Sequence, residues 1–130
     1  MYTRTTRNIK VTVVPLYLME QSDPNEHHYV WAYTIQLENF GEETVQLLNR
    51  YWHITDAAGR VQEVRGAGVI GEQPVLQPED TYQYTSGVAL TTPSGIMTGH
   101  YEMNTADGEI FLIEIPTFSL DSPDQFKRPN

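Results

Sequence analysis

Tyr29-Val30-Trp31-Ala32-Tyr33-Thr34-Ile35-Gln36-Leu37 decides the fold class of this 130-residue chain. Large apolar or aromatic side chains stand at 29, 31, 33, 35 and 37, while Thr34, Gln36 and Glu38 alternate with them. Successive side chains of an extended strand point to opposite faces, so a period of two places one face on a core and the other in water. Asn39-Phe40-Gly41 closes the run with turn chemistry. The stretch reads as a long, half-buried β-strand.

Upstream of it, Ile9, Val11 and Val13 alternate in the same way. Past Pro15 the apolar set moves to Leu16 and Leu18, so a bulge or a change of sheet is expected at Pro15. Ser22-Asp23-Pro24-Asn25 is a turn, with His27 and His28 at its end. Downstream, Val45 and Leu47 give way to Leu48, Trp52 and Ile54, a second change of parity. Asp56-Ala57-Ala58-Gly59 is a hairpin turn, with Val61 and Val64 on the return strand. Leu76-Gln77-Pro78-Glu79-Asp80-Thr81-Tyr82 has the spacing of a tyrosine that closes a corner in sandwich domains. Tyr82 is therefore expected to be buried, with its hydroxyl on backbone near 76–79. Tyr84 shares its face, Met97, Gly99, Tyr101 and Met103 alternate, and Thr105-Ala106-Asp107-Gly108 turns into the alternation of Phe111, Ile113 and Ile115.

No segment carries sustained helical spacing, and turn signals recur roughly every 8–14 residues. The expectation is an all-β, immunoglobulin-like or fibronectin type III-like sandwich of two antiparallel sheets, with about seven or eight strands and no helix longer than about two turns. No repeat or composition break divides the chain, so it reads as a single domain over 1–130, with a core of about 8–120 and a loose tail at 121–130. The inward set is expected to include Val11, Val13, Trp31, Tyr33, Ile35, Leu37, Trp52, Ile54, Tyr82, Tyr84, Phe111 and Ile113. The chain also holds more large rings than a small core readily hides; they either fill the space between the two sheets or form an aromatic interaction face.

Composition limits the partners. Seventeen acidic against eight basic side chains give a net charge of −9. That balance argues against nucleic acid and against an anionic membrane surface as partner. With no cysteine, disulfides, thiolate metal sites and cysteine nucleophiles are excluded. No signal-like apolar run precedes Pro15 and no run reaches membrane-spanning length, so a cytoplasmic protein is expected.

One stretch stands apart chemically. Gly66-Ala67-Gly68-Val69-Ile70-Gly71 matches G-x-G-x-x-G, and Arg50, Arg60 and Arg65 are the only Lys or Arg residues between Val11 and Phe126. Pro74 and the Val69-Ile70 pair disfavour the helix that a dinucleotide-binding loop would open. A glycine loop can still cradle an anion on successive N–H groups, with Arg50 and Arg65 as guanidinium partners, or it can be a bulge or strand crossing. Metal and catalytic signals are weak. His27 and His28 are neighbours that point apart on an extended chain, His53 and His100 lie on separate strands, and Ser86 before Gly87 reads as a turn. Asp56, Glu63 and Glu72 have no visible catalytic partner. No catalytic residue, no protein-only metal site and no resident cofactor is assigned, although Mg²⁺ could arrive with a bound phosphate.

The runs Arg50–Thr55, Gly66–Pro74, Tyr82–Gly87 and Met97–Met103, in that order, resemble the bacterial ApaG (CorD) family over about residues 5–120. The resemblance implies a fibronectin type III-like sandwich and a link to cobalt resistance and magnesium efflux. It also implies a role as a non-enzymatic protein-binding module, because the same domain occurs in eukaryotic F-box and polymerase-interacting proteins. A pyrophosphate role suggested for the family's glycine motif falls here on Gly66, Gly68 and Gly71. The expected ligand is thus a protein partner. The alternative is a phosphorylated, pyrophosphate-like small molecule at Gly66, Gly68, Gly71, Arg65 and Arg50, and a homodimer is compatible with either.

Overall fold

A computed structural model describes residues 1–123. The strands are β1 (Tyr2–Thr6), β2 (Ile9–Tyr17), β3 (Tyr29–Asn39), β4 (Val45–Asp56), β5 (Val61–Ala67), β6 (Val75–Leu76), β7 (Thr81–Leu90), β8 (Ser94–Thr105) and β9 (Ile110–Asp121). One sheet has the order β1-β2-β3-β7 and the other β5-β4-β8-β9, with β6 also paired to β4, and every pairing is antiparallel. This is the fibronectin type III-like sandwich that the alternation predicts. It has nine strands because β1 and the two-residue β6 carry too few apolar side chains to be recognised from pattern. Helical structure among the described residues is confined to two short 3-10 turns.

The central strand behaves as read: Tyr29, Trp31, Tyr33, Ile35 and Leu37 are all buried. Their faces meet Trp52 and Ile54 of β4, Met97, Tyr101 and Met103 of β8, and Ile113, Ile115 and Phe118 of β9 in one core. Each such side chain contributes roughly 1.5–3 kcal/mol by leaving water. Tyr29, Trp31, Tyr33, Trp52, Tyr84 and Tyr101 fill this space between the sheets, while Tyr51 and Tyr82 stay half-buried. Tyr33 and Trp52 meet edge to face at 5.4 Å, and Trp52 meets Phe118 at 5.9 Å.

The parity change at Leu48 is a bulge, where the β4–β8 pairing slips between Leu47 and Asn49. The one expected at Pro15 is not there. The β2–β3 register is unbroken from Ile9 opposite Asn39 to Tyr17 opposite Trp31. Leu16 points to solvent and is 62% exposed, while Tyr17 turns inward onto Trp31 at 5.4 Å. β1 ends opposite Val13, so Pro15 lies where β2 is an edge on that side, a place that tolerates a residue without an N–H.

The corner expectation also fails. Tyr82 is only half-buried, and its hydroxyl reaches the Glu72 carboxylate at 3.4 Å rather than upstream backbone. The corner is instead turned by Asn39. Its side-chain amide donates to the Leu76 carbonyl (3.0 Å) and the Glu43 carbonyl (2.8 Å), and its oxygen accepts from Gly41 N–H (2.9 Å). Its backbone pairs with Asp80 and Glu79 at 3.0 and 2.8 Å. Phe111 is half-buried too, because it sits at the start of β9 under the Arg7 guanidinium, 4.3 Å above its ring. Asn39→Ala is therefore expected to cost about 2 kcal/mol, since it strands buried backbone groups, whereas Tyr82→Phe is expected to be close to neutral. Urea unfolding of the two variants checks this, and a larger loss for Tyr82→Phe would restore the tyrosine corner.

Of the tail expected at 121–130, the described residues 121–123 complete β9 and follow directly on it. Asp121 ends β9, and the buried Ser122 donates to the Pro93 carbonyl at 2.7 Å. Residues 124–130 lie outside the described residues.

Candidate functional site

The two long sides of the sandwich differ. On one, β9 packs against β1 and β2: the rings of Tyr2 and Phe118 lie 6.0 Å apart, and the Thr6 hydroxyl accepts from Glu114 N–H at 3.3 Å. On the other side the end strands β5 and β7 face each other across a groove with a volume of about 400 Å³. Its lining includes Tyr33, Trp52, Val64, Val88 and Met97, with Ser86 on the β7 side and Arg50 also on its wall.

Arg50 reaches this place by register. The hairpin turn at Asp56–Gly59 sets Thr55 opposite Val61 and hence Arg50 opposite Gly66. Arg50 shares the core face with Trp52, two residues on. Its guanidinium lies against Gly66, where a Cβ would come within 2.8 Å of Nη1. That nitrogen donates to the carbonyls of Ala67 (3.0 Å) and Gly68 (2.9 Å). The first glycine of the motif thus gives the arginine its space. Three tyrosine hydroxyls lie near it: Tyr84 and Tyr101 share a hydrogen bond inside the core, and Tyr33 bonds Ser86. Burial pushes all three phenols above their ordinary ionisation range, and the Arg50 charge offsets this only in part.

The rest of the glycine loop is a tight hairpin. Val69 and Glu72 exchange N–H to carbonyl bonds at 2.8 and 2.9 Å, with positive φ at Ile70 (42°) and Gly71 (81°) between them. This is the pattern of a type I′ turn. Gly68 has φ 62°, and a Cβ there would sit 2.1 Å from the Glu72 carbonyl. Gly68 N–H donates to the Leu48 carbonyl at 2.8 Å. The N–H groups of Gly68, Val69 and Glu72 are therefore committed to protein carbonyls, and the loop leads to β6 rather than to a helix. Ile70, a β-branched residue at positive φ, stands exposed at the tip.

Arg65 lies on the opposite face of the β4–β5 pair from Arg50, yet both residues line one outer cleft beside Gly66 and Ala67. Its guanidinium lies 4.6 Å over the Tyr51 ring, and Tyr51 stacks on His100 at 4.8 Å. Glu63 accepts from the Tyr51 hydroxyl at 2.8 Å and lies 3.4 Å from Arg65. Tyr51, Arg65 and His100 border a shallow outer cleft of about 410 Å³ that also includes Asn49, Arg50, Gly66, Ala67 and Glu102. Arg65 is 72% exposed there and is the cation most available to an incoming anion. Arg60 instead closes its own hairpin on Asp56 at 2.8 Å. Among the described residues no group of three or more His, Asp or Glu side chains converges as metal ligands, and no helix is long and apolar enough to cross a membrane.

Sequence reasoning missed the groove between β5 and β7. One signal was present: β7 has neither a charged residue nor a proline. What was hidden is that β7 ends its sheet, because its partner β3 is remote in sequence.

Comparison with known proteins follows the same lines as the geometry. The sequence profile of the ApaG domain matches residues 19–105. Protein ApaG of Paramagnetospirillum magneticum is 62% identical over 130 residues, covering all of both chains. Protein ApaG of Mesorhizobium japonicum is 63% identical over 123 residues, 95% of each chain. A crystal structure of an ApaA-type protein from Bordetella pertussis superposes with a TM-score of 0.86 at 47% identity, covering 88% of this chain and 94% of that one.

Proposed function

The chain belongs to the ApaG domain family, and from that premise we propose that it is a non-enzymatic binding module whose ligand is another protein. The observation that carries this reading is the open side of the sandwich. A groove of ligand-binding size, lined mainly by apolar side chains with a few polar groups, runs between two end strands. On this reading the link to cobalt resistance and magnesium efflux, implied by the resemblance, acts through the bound partner and not through a metal held by this chain.

A second reading is a sensor of a pyrophosphate-like anion, brought with Mg²⁺, at Arg65 and the Gly66–Gly71 loop. The outer cleft favours it, because Arg50, Arg65 and His100 line one open surface beside Gly66 and Ala67. One experiment separates the two. Immobilised full-length chain is exposed to cell extract with and without pyrophosphate and Mg²⁺, and pyrophosphate is titrated calorimetrically into wild type and Arg65→Ala. The first reading expects a defined protein to be retained at near-stoichiometric yield regardless of added pyrophosphate. No retained protein, together with heat that Arg65→Ala abolishes, would transfer the function to the anion.

A further inference from the structure

We propose that the free edge of β7, together with the groove beside it, takes an extended peptide segment of its partner as an added strand, with a peptide carboxylate directed to Arg50. The proposal rests on the protein-binding reading and specifies its site and chemistry.

The four end strands of the two sheets are treated differently. β1 carries Arg4, β5 carries Glu63 and Arg65, and β9 carries Glu114 and Pro116 and is packed against β1 and β2. Charges and prolines of this kind keep sheet edges from pairing with other chains. β7 runs for ten residues, Thr81 to Leu90, with no charge and no proline, and among the described residues pairs only with β3. Its outward residues Thr81, Gln83, Thr85, Gly87 and Ala89 are exposed. A long edge left unprotected in this way is the surface on which an extended peptide forms backbone hydrogen bonds.

The groove supplies the selectivity. Side chains of an added strand would alternate, and those on the inner side would drop beside Val88, Trp52, Val64 and Met97, where apolar groups fit. The chain carries 17 carboxylates, yet among the described residues none lines this groove, and Arg50 is its one charged residue. Local charge thus fits a carboxylate at the groove, while the acidic remainder of the surface favours basic residues in the flanks of the peptide.

The test uses the full chain. Ten-residue peptides are selected from a random display library, synthesised, and titrated into ¹⁵N-labelled protein. Expected peptides alternate apolar residues and carry one carboxylate, and amide shifts concentrate on residues 83–90 and on the Arg50 side chain. N-methylating every second peptide residue in one phase should weaken binding at least tenfold, while the other phase is tolerated, because only alternate N–H groups face β7. Val88→Arg should weaken binding at least tenfold with an unchanged circular dichroism spectrum. Amidating or neutralising the carboxylate should cost roughly tenfold.

Shifts confined to Tyr51, Arg65 and His100, or equal tolerance of both N-methyl phases, would overturn this site while leaving a binding module in place. A library that yields no peptide binding below millimolar concentration would also overturn it. If the extract retains a protein nonetheless, the broader reading survives that result. A concentration-dependent dimer broken by Val88→Arg would overturn the peptide in favour of a second copy of this chain.

Discussion

Gly99→Ala is expected to destabilise the fold by about 3 kcal/mol or more, at the upper end of what overpacking costs. Gly99 lies in β8 opposite Trp52 of β4 and Ile115 of β9, at the bulge between Met97 and Gly99. A Cβ there would stand 2.1 Å from the Tyr51 carbonyl oxygen and 3.1 Å from the Trp52 ring. The first obstacle is backbone in the adjacent strand, so no rotamer change relieves it. β4 would have to shift from β8, disturbing Trp52 and its contacts with Tyr33 and Phe118. Gly87→Ala is the control. Its Cβ would meet the Trp31 carbonyl at 3.5 Å, an ordinary contact, and a change within about 0.5 kcal/mol is expected, as for surface substitutions. Urea unfolding of both variants decides the matter. An unchanged midpoint for Gly99→Ala would mean that the β4–β8 pair is looser than its geometry indicates.

What could be read beforehand depended on how local its physical cause is. The alternation at 29–37 records burial residue by residue, so β3 and its core face were legible. The hairpins at Asp56–Gly59 and Thr105–Gly108 were legible because a positive φ requires glycine, and Gly59 and Gly108 have φ 84° and 86°. Pro15 misled because a shift in apolar spacing looks like a bulge, whereas Leu16 is simply an apolar residue on a wet face. Tyr82 misled because the group that holds the corner, Asn39, lies on another strand and acts across 37 residues to Leu76. The glycine motif was visible, but its reasons were not. Gly66 yields to an arginine sixteen positions earlier, and Gly68 to the carbonyl that closes its own hairpin. That Arg50 and Arg65 start on opposite faces of the β4–β5 pair follows from strand parity and could have been counted from the turn at Asp56–Gly59, whereas the outer cleft that both line could not. The groove could not, because it depends on which strands end each sheet.

The second large effect concerns alkaline pH. Tyr84 and Tyr101 bond hydroxyl to hydroxyl inside the core, and Tyr101 has no solvent exposure. Burial raises both phenols above the ordinary value of 10.0, most strongly for Tyr101, and the nearby Arg50 charge counters this only weakly. A folded pKa above the unfolded one means that the unfolded chain releases its protons first as pH rises. Stability is therefore full below pH 10 and falls above it. Both phenols are held neutral where the unfolded chain has already released their protons, so the two losses add as pH rises. The chain is expected to unfold cooperatively between about pH 10 and 12. Tyr84→Phe combined with Tyr101→Phe should flatten most of this limb, leaving a weaker slope from Tyr33, whose phenol burial also raises. At neutral pH the ordering changes. Tyr84→Phe alone strands the fully buried Tyr101 hydroxyl and is expected to cost about 1–3 kcal/mol, more than the double variant, which removes both partners at once. Denaturant midpoints measured for the wild type, both single variants and the double variant from pH 7 to 12 test the two claims together. If the double variant lost stability above pH 10 as steeply as the wild type, the alkaline limb would belong to other groups and the tyrosine pair would be only a packing contact.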